Sequence, residues 1–461
     1  MPMGEPIPVR TKPQGGEAEG PFGGALKKDF PLDPEWHNLN HGSFGTLPKA
    51  VLARLRHYQD AAEARPDSFI RYEYPKLLDE SRVAVAKLVN APLETVVFVS
   101  NATEGVNTVI KNLAWPDAAA AATKDDVILT FSTAYEACAK VADYVVDSTA
   151  GGRVEHRQIA IDYPLEDDDI LRAFRDAVAA VERDGKRARV CIFDVVSSRP
   201  GVAFPYVDMI KACKELGVLS MVDGAQGIGM VPLDLAEADP DFFVSNCHKW
   251  LHVPRGCAVF YVPVRNQHLI PTTLATSHGY IPKSTSHGSP LPPSAKSLFV
   301  NNFEFVGTKD NGPYLCVKDG IAWRRDVLGG EDKILAYLWD LNKKGIKYVA
   351  DVLGTEILEN SKGTMTNCSM ANVALPVWIG EKGEGAKATD AVVAAEDEGK
   401  AFQWMARTMV DDYKTFMSLF VLKNRYWIRI SASVYLDMAD YEVAGKVLKE
   451  LSARVANKEY A

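Results

Sequence analysis

From about residue 75 to 262, short β-branched runs alternate with stretches whose apolar residues fall at helical spacing. Few architectures accept that rhythm. The runs are VVFVS (96–100), DVILTF (126–131), VCIFDVV (190–196), VLSMVDGA (218–225), DFFVSN (241–246) and CAVFYV (257–262). Between them lie the helical patterns TEGVNTVIKNL, YEACAKVADYVV, DILRAFRDAVAAVERD and YVDMIKACKEL. Strands this apolar throughout are buried on both faces. Alternating with helices, they predict an α/β fold with a mostly parallel sheet covered on both sides.

The flanks read differently. Residues 1–35 are rich in Gly, Pro and Lys and predict an arm ordered only by contacts. Residues 283–300 form a Pro/Ser-rich loop too long for a simple turn, a candidate functional or interface segment. Helices over about 311–327 and 331–350 then lead to a smaller α+β region ending in YWIRISASVYLDMADYEVAGKVLKEL. Residues 380–409 read as a polar loop running into a helix. The expected division is an arm at 1–35, a large domain at 36–310 and a small C-terminal domain at 311–461.

Charge and cysteine usage narrow the function. A net charge of −8 argues against a nucleic-acid surface or a binder of anionic membranes. No apolar run approaches the roughly 20 residues that span a bilayer. The first 28 residues lack an apolar core, so no secretory leader is expected. Seven scattered cysteines without a CxxC pair fit a reducing compartment, and a cytoplasmic location is expected.

In an open α/β sheet, ligands bind beyond the carboxyl ends of the strands. Three segments carry polar residues there. NATEGVN (101–107) turns from a strand into a helix, and its N–H groups with the Thr103 hydroxyl make an anion site. DGAQG (223–227) brings Asp223 and Gln226, and NCHKW (246–250) brings Asn246, His248 and Lys249. One small molecule asks for all of these. Pyridoxal phosphate needs a lysine for its aldehyde, a carboxylate for its ring nitrogen and a helix N-terminus for its phosphate. DGAQGIG lacks the order of a dinucleotide fingerprint, and HKWLH carries Lys249 where a zinc protease has its glutamate, so no metal is expected.

The set NATEGVN, TAYEAC, DGAQ, HKW, EFVGTKD and IRIS resembles class V, fold-type I pyridoxal-phosphate enzymes over about residues 36–440. The opening LNHGSFGTLPKAV (39–51) is similar to their isopenicillin N epimerase-like branch. Within it, that opening and TSHGY (276–280) are nearest to the fungal lyases of ergothioneine biosynthesis. The resemblance implies a seven-stranded, mostly parallel sheet with flanking helices and a homodimer with shared active sites. It implies Lys249 as Schiff-base lysine and Cα base, Asp223 on the pyridinium and Gln226 on the phenolic oxygen. Ala102, Thr103 and His248 would hold the phosphate, Asn246 would belong to the same site, and Thr308 would reach the phosphate of the neighbouring subunit. Arg429 would bind the substrate carboxylate through its bidentate fork, with Asn40 and Ser198 near the amino-acid moiety.

Two departures from the family bear on the reaction. Where many members stack a histidine on the ring, this chain has Tyr135, which can stack and can also protonate a leaving group. Desulfurases need a mobile-loop cysteine, and neither Cys316 nor Cys368 sits in such a loop. The expectation is a carbon–sulfur lyase acting by β-elimination on a sulfur-substituted cysteine sulfoxide carrying a hercynyl group. His278 and Tyr280 are candidates to face its trimethylammonium by cation–π contact. A cysteine desulfhydrase, a desulfurase and an epimerase are the alternatives.

Overall fold

The computed structural model describes residues 21–116, 124–149, 151–276, 278–282, 284 and 294–461. Its described residues form two compact units, one drawn from Gly45–Val196 and Phe204–Asp326, the other from 21–44, Ser197–Ala203 and Val327–Ala461.

The first unit holds a seven-stranded sheet. Its strands are β1 (Val96–Val99), β2 (Asp126–Phe131), β3 (Val154–Ile159), β4 (Arg187–Asp194), β5 (Leu219–Asp223), β6 (Phe242–Asn246) and β7 (Ala258–Tyr261). They lie in the order β1–β7–β6–β5–β4–β2–β3. Neighbours from β3 to β6 pair in parallel, and β7 runs antiparallel to both β6 and β1. Hence β1, β2, β3, β4, β5 and β6 all end at one edge. The helices between them include α1 (Ala102–Asn112), α2 (Glu136–Ser148), α3 (Asp167–Arg183) and α4 (Tyr206–Glu215). Val106 and Val109 of α1 and Val141 and Val145 of α2 pack in one core with Val97, Ile128, Met221 and Val244 of the sheet. That burial, worth roughly 1.5–3 kcal/mol per large apolar side chain, fixes the helices on the sheet.

The second unit has a four-stranded sheet of β8 (Met370–Ile379), β9 (Ala391–Val393), β10 (Ser418–Leu422) and β11 (Arg425–Ser431), ordered β10–β11–β8–β9. Lys423 and Asn424 join β10 to β11 with φ of 51° and 55°, the signs a tight hairpin turn requires. Helix α5 (Gly312–Leu328) ends the first unit, and α6 (Glu331–Leu353), α7 (Glu398–Asp411) and α8 (Met438–Ala456) belong to the second. Asp437 and Asp440 form a reciprocal capping box at the start of α8.

The α/β fold class stands, with differences in detail. Strand β3 is absent from the sequence expectation because VEHRQI has no apolar run. It is an edge strand, half-exposed along its middle, and needs none. Residues 380–409 contain β9 as well as a loop and a helix, three residues that pair in parallel with β8. The unit boundary falls after Asp326, within α5, and not at the expected 310/311. Residues 21–44, expected as part arm and part large domain, group with the second unit. Leu26 and Phe30 are buried there, and the Gly24 N–H donates to Asp437 Oδ2 at 2.8 Å. Residues 1–20 of the expected arm, and 283 and 285–293 of the Pro/Ser-rich loop, lie outside the described residues. Among the described residues, no helix is long and apolar enough to cross a membrane.

Candidate active site

Five of the six parallel-running strands bring the chemistry of the first unit to their common edge. Beyond β1 stands Thr103, beyond β2 Tyr135, at the end of β4 Asp194, at the end of β5 Asp223, and just beyond β6 Lys249. Lys249 is half-buried in the short helix Cys247–Trp250. Gly45 explains how the backbone reaches that position. Its φ is +64°, and a Cβ there would meet the His248 carbonyl oxygen at 1.9 Å. Only glycine lets the backbone at residue 45 lie this close against the lysine helix.

Asp223 is buried, its Oδ1 accepting from the Ala225 N–H at 2.9 Å and its Oδ2 from the Cys138 thiol at 3.1 Å. Gln226 Oε1 accepts from Trp250 Nε1 at 2.6 Å. An indole can only donate, so the Gln226 NH2 is turned to the other side, as a donor to a phenolic oxygen must be. The turn itself is pinned to β6, where Ser245 Oγ accepts from the Ile228 N–H at 2.9 Å and donates to the Gly224 carbonyl.

At the α1 N-terminus, Asn101 caps Glu104 N–H at 2.9 Å, and the Glu104 carboxylate accepts from Ser100 N–H at 2.7 Å. The Ala102 N–H, expected on the phosphate, donates to Asn246 Oδ1 at 2.9 Å, so that donor is engaged within the protein. Thr103 is exposed. His248 Nδ1 lies 3.0 Å from the Cys257 carbonyl, which makes Nδ1 the protonated nitrogen. Burial pushes this imidazole down to about 4, and the neighbouring Lys249 and Arg255 charges act the same way. With Nδ1–H held by the Cys257 carbonyl, the other ring nitrogen, Nε2, is the unprotonated one.

The donor set fits pyridoxal phosphate: an amine for the aldehyde, a buried carboxylate for the ring nitrogen, an amide for the phenolic oxygen and a helix N-terminus for the phosphate. Thr133 Oγ1, buried and unpartnered in the loop between β2 and α2, leaves one more polar atom at the same edge. Tyr135 is 50% exposed at the cap of α2. Thr308 is exposed as well. His278 packs edge-on to Phe305 with centroids 4.8 Å apart, while the Tyr280 ring is 40% exposed.

The second unit builds a polar recess around Arg429 of β11, which is 1% exposed. Its Nη1 donates to the Ser198 carbonyl at 2.6 Å, with Ser198 Oγ at 3.4 Å. Its Nη2 donates to Asn40 Oδ1 at 2.7 Å and Ser43 Oγ at 2.9 Å. A Cβ on Gly201 would meet Arg429 Cδ at 2.6 Å, so that glycine leaves room for the guanidinium stem. Burial, and the nearby Arg199 charge, push Arg429 down to about 10. Its Nε has no partner, and no carboxylate pairs with it among the described residues. A buried guanidinium held only by neutral groups is a site for an incoming anion.

Asn40 and Ser198, expected near the amino-acid moiety, both lie on the Arg429 guanidinium, while Ser43, Gly45, Cys138 and Asp194 were given no role by the sequence. Ser43 and Gly45 lie inside LNHGSFG and Cys138 ends TAYEAC, so the motifs carried them without roles. Asp194 ends the apolar run VCIF, the same signal that singled out Asp223.

A family model described as aminotransferase class-V matches residues 42–279. The L-cysteine desulfhydrase-like protein lolT1 of Epichloe uncinata is 36% identical over 454 residues, covering 95% of this chain and 98% of the relative. The hercynylcysteine sulfoxide lyase of Schizosaccharomyces pombe is 30% identical over 429 residues, covering 93% and 97%. Among solved structures, the cystine C–S lyase C-DES in complex with its product cysteine persulfide is similar in fold. It has a TM-score of 0.71 at 16% identity, covering 90% of this chain and 98% of that one.

Proposed function

Because the chain belongs to the class-V aminotransferase family and takes pyridoxal phosphate as its cofactor, we propose that it is a carbon–sulfur lyase that cleaves hercynylcysteine sulfoxide by β-elimination, a step towards ergothioneine. The observation that carries the lyase reading is the place of Tyr135. Cys138, one turn into α2, hydrogen-bonds Asp223. Tyr135 caps the same helix, so its half-exposed side chain stands at the Asp223 edge. A hydroxyl there suits a reaction that needs an acid for a departing group.

Bound pyridoxal phosphate supplies the electron sink that lets bonds at the substrate Cα and Cβ break. Lys249 Nζ takes the Cα proton. The Asp223 carboxylate holds the proton on the ring nitrogen. Arg429 orients the substrate through its α-carboxylate, with Asn40 and Ser198 steadying the guanidinium. As the Cβ–S bond breaks, its electron pair leaves with sulfur, and Tyr135 Oη gives a proton to the sulfenate. Water completes the balance: sulfoxide and water give a sulfenic acid, pyruvate and ammonia, with no external oxidant. Tyr280 is assigned to the trimethylammonium of the hercynyl group, where an open aromatic face favours a cation.

A second reading, cysteine desulfhydrase, is supported by the name of the 36%-identical relative and uses the same residues. A sulfur-transferring desulfurase fits less well, because all seven cysteines are buried and the persulfide step needs an accessible thiolate.

Replacing Tyr135 by Phe keeps the ring and removes the acid. On hercynylcysteine sulfoxide it should lower kcat by about 10²–10⁴-fold while solvent deuterium still enters the substrate Cα, a step that belongs to Lys249. Unchanged turnover in Tyr135→Phe would remove Tyr135 from the mechanism.

A further inference from the structure

We propose that Cys138 is a positioning residue of the cofactor site: its thiol donates to Asp223 and so decides which of two adjacent buried carboxyl groups, Asp223 or Asp194, serves the cofactor ring. The proposal rests on the assignment of Asp223 to the ring nitrogen.

The need for such a device follows from the sheet. Strands β4 and β5 pair in parallel with Asp194 opposite Asp223, and both residues are buried at the strand ends. Two carboxyl groups side by side in a buried setting do not both carry charge. Hydrogen bonding separates them. Asp223 receives two donors, the Ala225 N–H at 2.9 Å on Oδ1 and the Cys138 thiol at 3.1 Å on Oδ2. No hydrogen bond reaches the Asp194 carboxyl among the described residues.

The titrating neighbours agree with that division. Burial, and then the Asp223 charge, push Asp194 well above the usual carboxylate range, with Lys249 pulling the other way. Burial, and then the same carboxylates, push the Cys138 thiol well above its ordinary value, so it stays a donor at any working pH. Asp223 is therefore flanked by a thiol that does not ionise and a carboxyl held towards its neutral form, with Lys249 acting on the Asp194 side. The thiol also ties the first turn of α2, and with it Tyr135, to the carboxylate that holds the ring. A packing role alone would not need sulfur within 3.1 Å of a carboxylate oxygen.

The test is a pH titration of the visible cofactor absorbance of the holoenzyme, with cofactor retention measured in parallel, for Cys138→Ser, Cys138→Ala and Cys138→Val. A donor to a carboxylate favours its charged form. Without it the Asp194–Asp223 pair takes up a further proton at higher pH. The acid-side midpoint should rise by roughly half to one pH unit in Cys138→Ala and in Cys138→Val, the size a hydrogen bond to a charged group gives. Cys138→Ser, which still donates, should keep the wild-type midpoint. Val fills the space that Ala leaves, so agreement between them separates donation from packing. A wild-type midpoint in both Ala and Val would overturn the proposal, as would a shift in Ser equal to theirs. Asp223→Asn serves as the reference. If it leaves the absorbance and cofactor retention unchanged, the assignment of Asp223 to the ring falls, and the role of Cys138 with it. If Asp223→Asn alters both while Cys138→Ala does not, only the role of Cys138 falls.

Discussion

At the scale of single residues, Arg429 shows how far burial sharpens a choice of ligand. Its two terminal nitrogens are already spread over Ser198, Asn40 and Ser43, all neutral acceptors. The charge is thus desolvated and oriented before any carboxylate arrives, which favours an anion over water. A lysine could carry the charge but not the fork. Arg429→Lys should raise KM for the amino-acid substrate by about 10–100-fold with a smaller change in kcat, the signature of lost ground-state binding. Steady-state kinetics on the variant decide it: an unchanged KM would take Arg429 out of carboxylate binding. His248 shows the opposite use of burial. Held neutral, with Nδ1–H on the Cys257 carbonyl, it adds no positive charge beside Lys249.

At the scale of elements, the strand ends matter more than the strands. Each delivers one polar residue to a shared edge, and the loops after them are pinned by backbone contacts that leave little tolerance. Gly45 is the tightest of these. With φ at +64° and the His248 carbonyl 1.9 Å from any Cβ, Gly45→Ala must displace the helix that carries Lys249. We expect cofactor affinity to fall at least tenfold while the far-UV circular dichroism is kept; wild-type affinity measured by equilibrium dialysis would contradict that. Much of this level was legible in the sequence. DVILTF matched β2 to the residue, because a buried strand writes itself as an unbroken apolar run. Strand β3 did not, since an edge strand with Glu155, His156 and Arg157 at its centre has no such run. Asp223 and Lys249 were legible because polar residues abruptly end apolar runs there. Ser43 and Cys138 were not, because their roles are contacts to residues hundreds or tens of positions away, and one sequence carries no record of such pairings.

At the scale of the whole molecule, one chain divides the chemistry between two units. The first holds the lysine, the carboxylates and the helix N-terminus; the second holds the guanidinium recess. The recess is assembled from β11, residues 21–44 and the short piece Ser197–Ala203, three stretches distant in sequence. Thr308, exposed at the surface of the first unit, is assigned to the phosphate of a second copy. We propose on that basis a homodimer of twice 50.6 kDa; sedimentation equilibrium should read that mass, and a monomer of 50.6 kDa would contradict it. All of these assignments converge on a single reaction, and its products are the shortest way to test it. The decisive measurement is pyruvate released by the purified holoenzyme from hercynylcysteine sulfoxide and, separately, from cysteine. Rapid pyruvate is expected from the sulfoxide, little from cysteine and none from Lys249→Ala with either. Pyruvate and sulfide from cysteine alone would make the enzyme a desulfhydrase, and no pyruvate from either substrate would contradict the lyase reading itself.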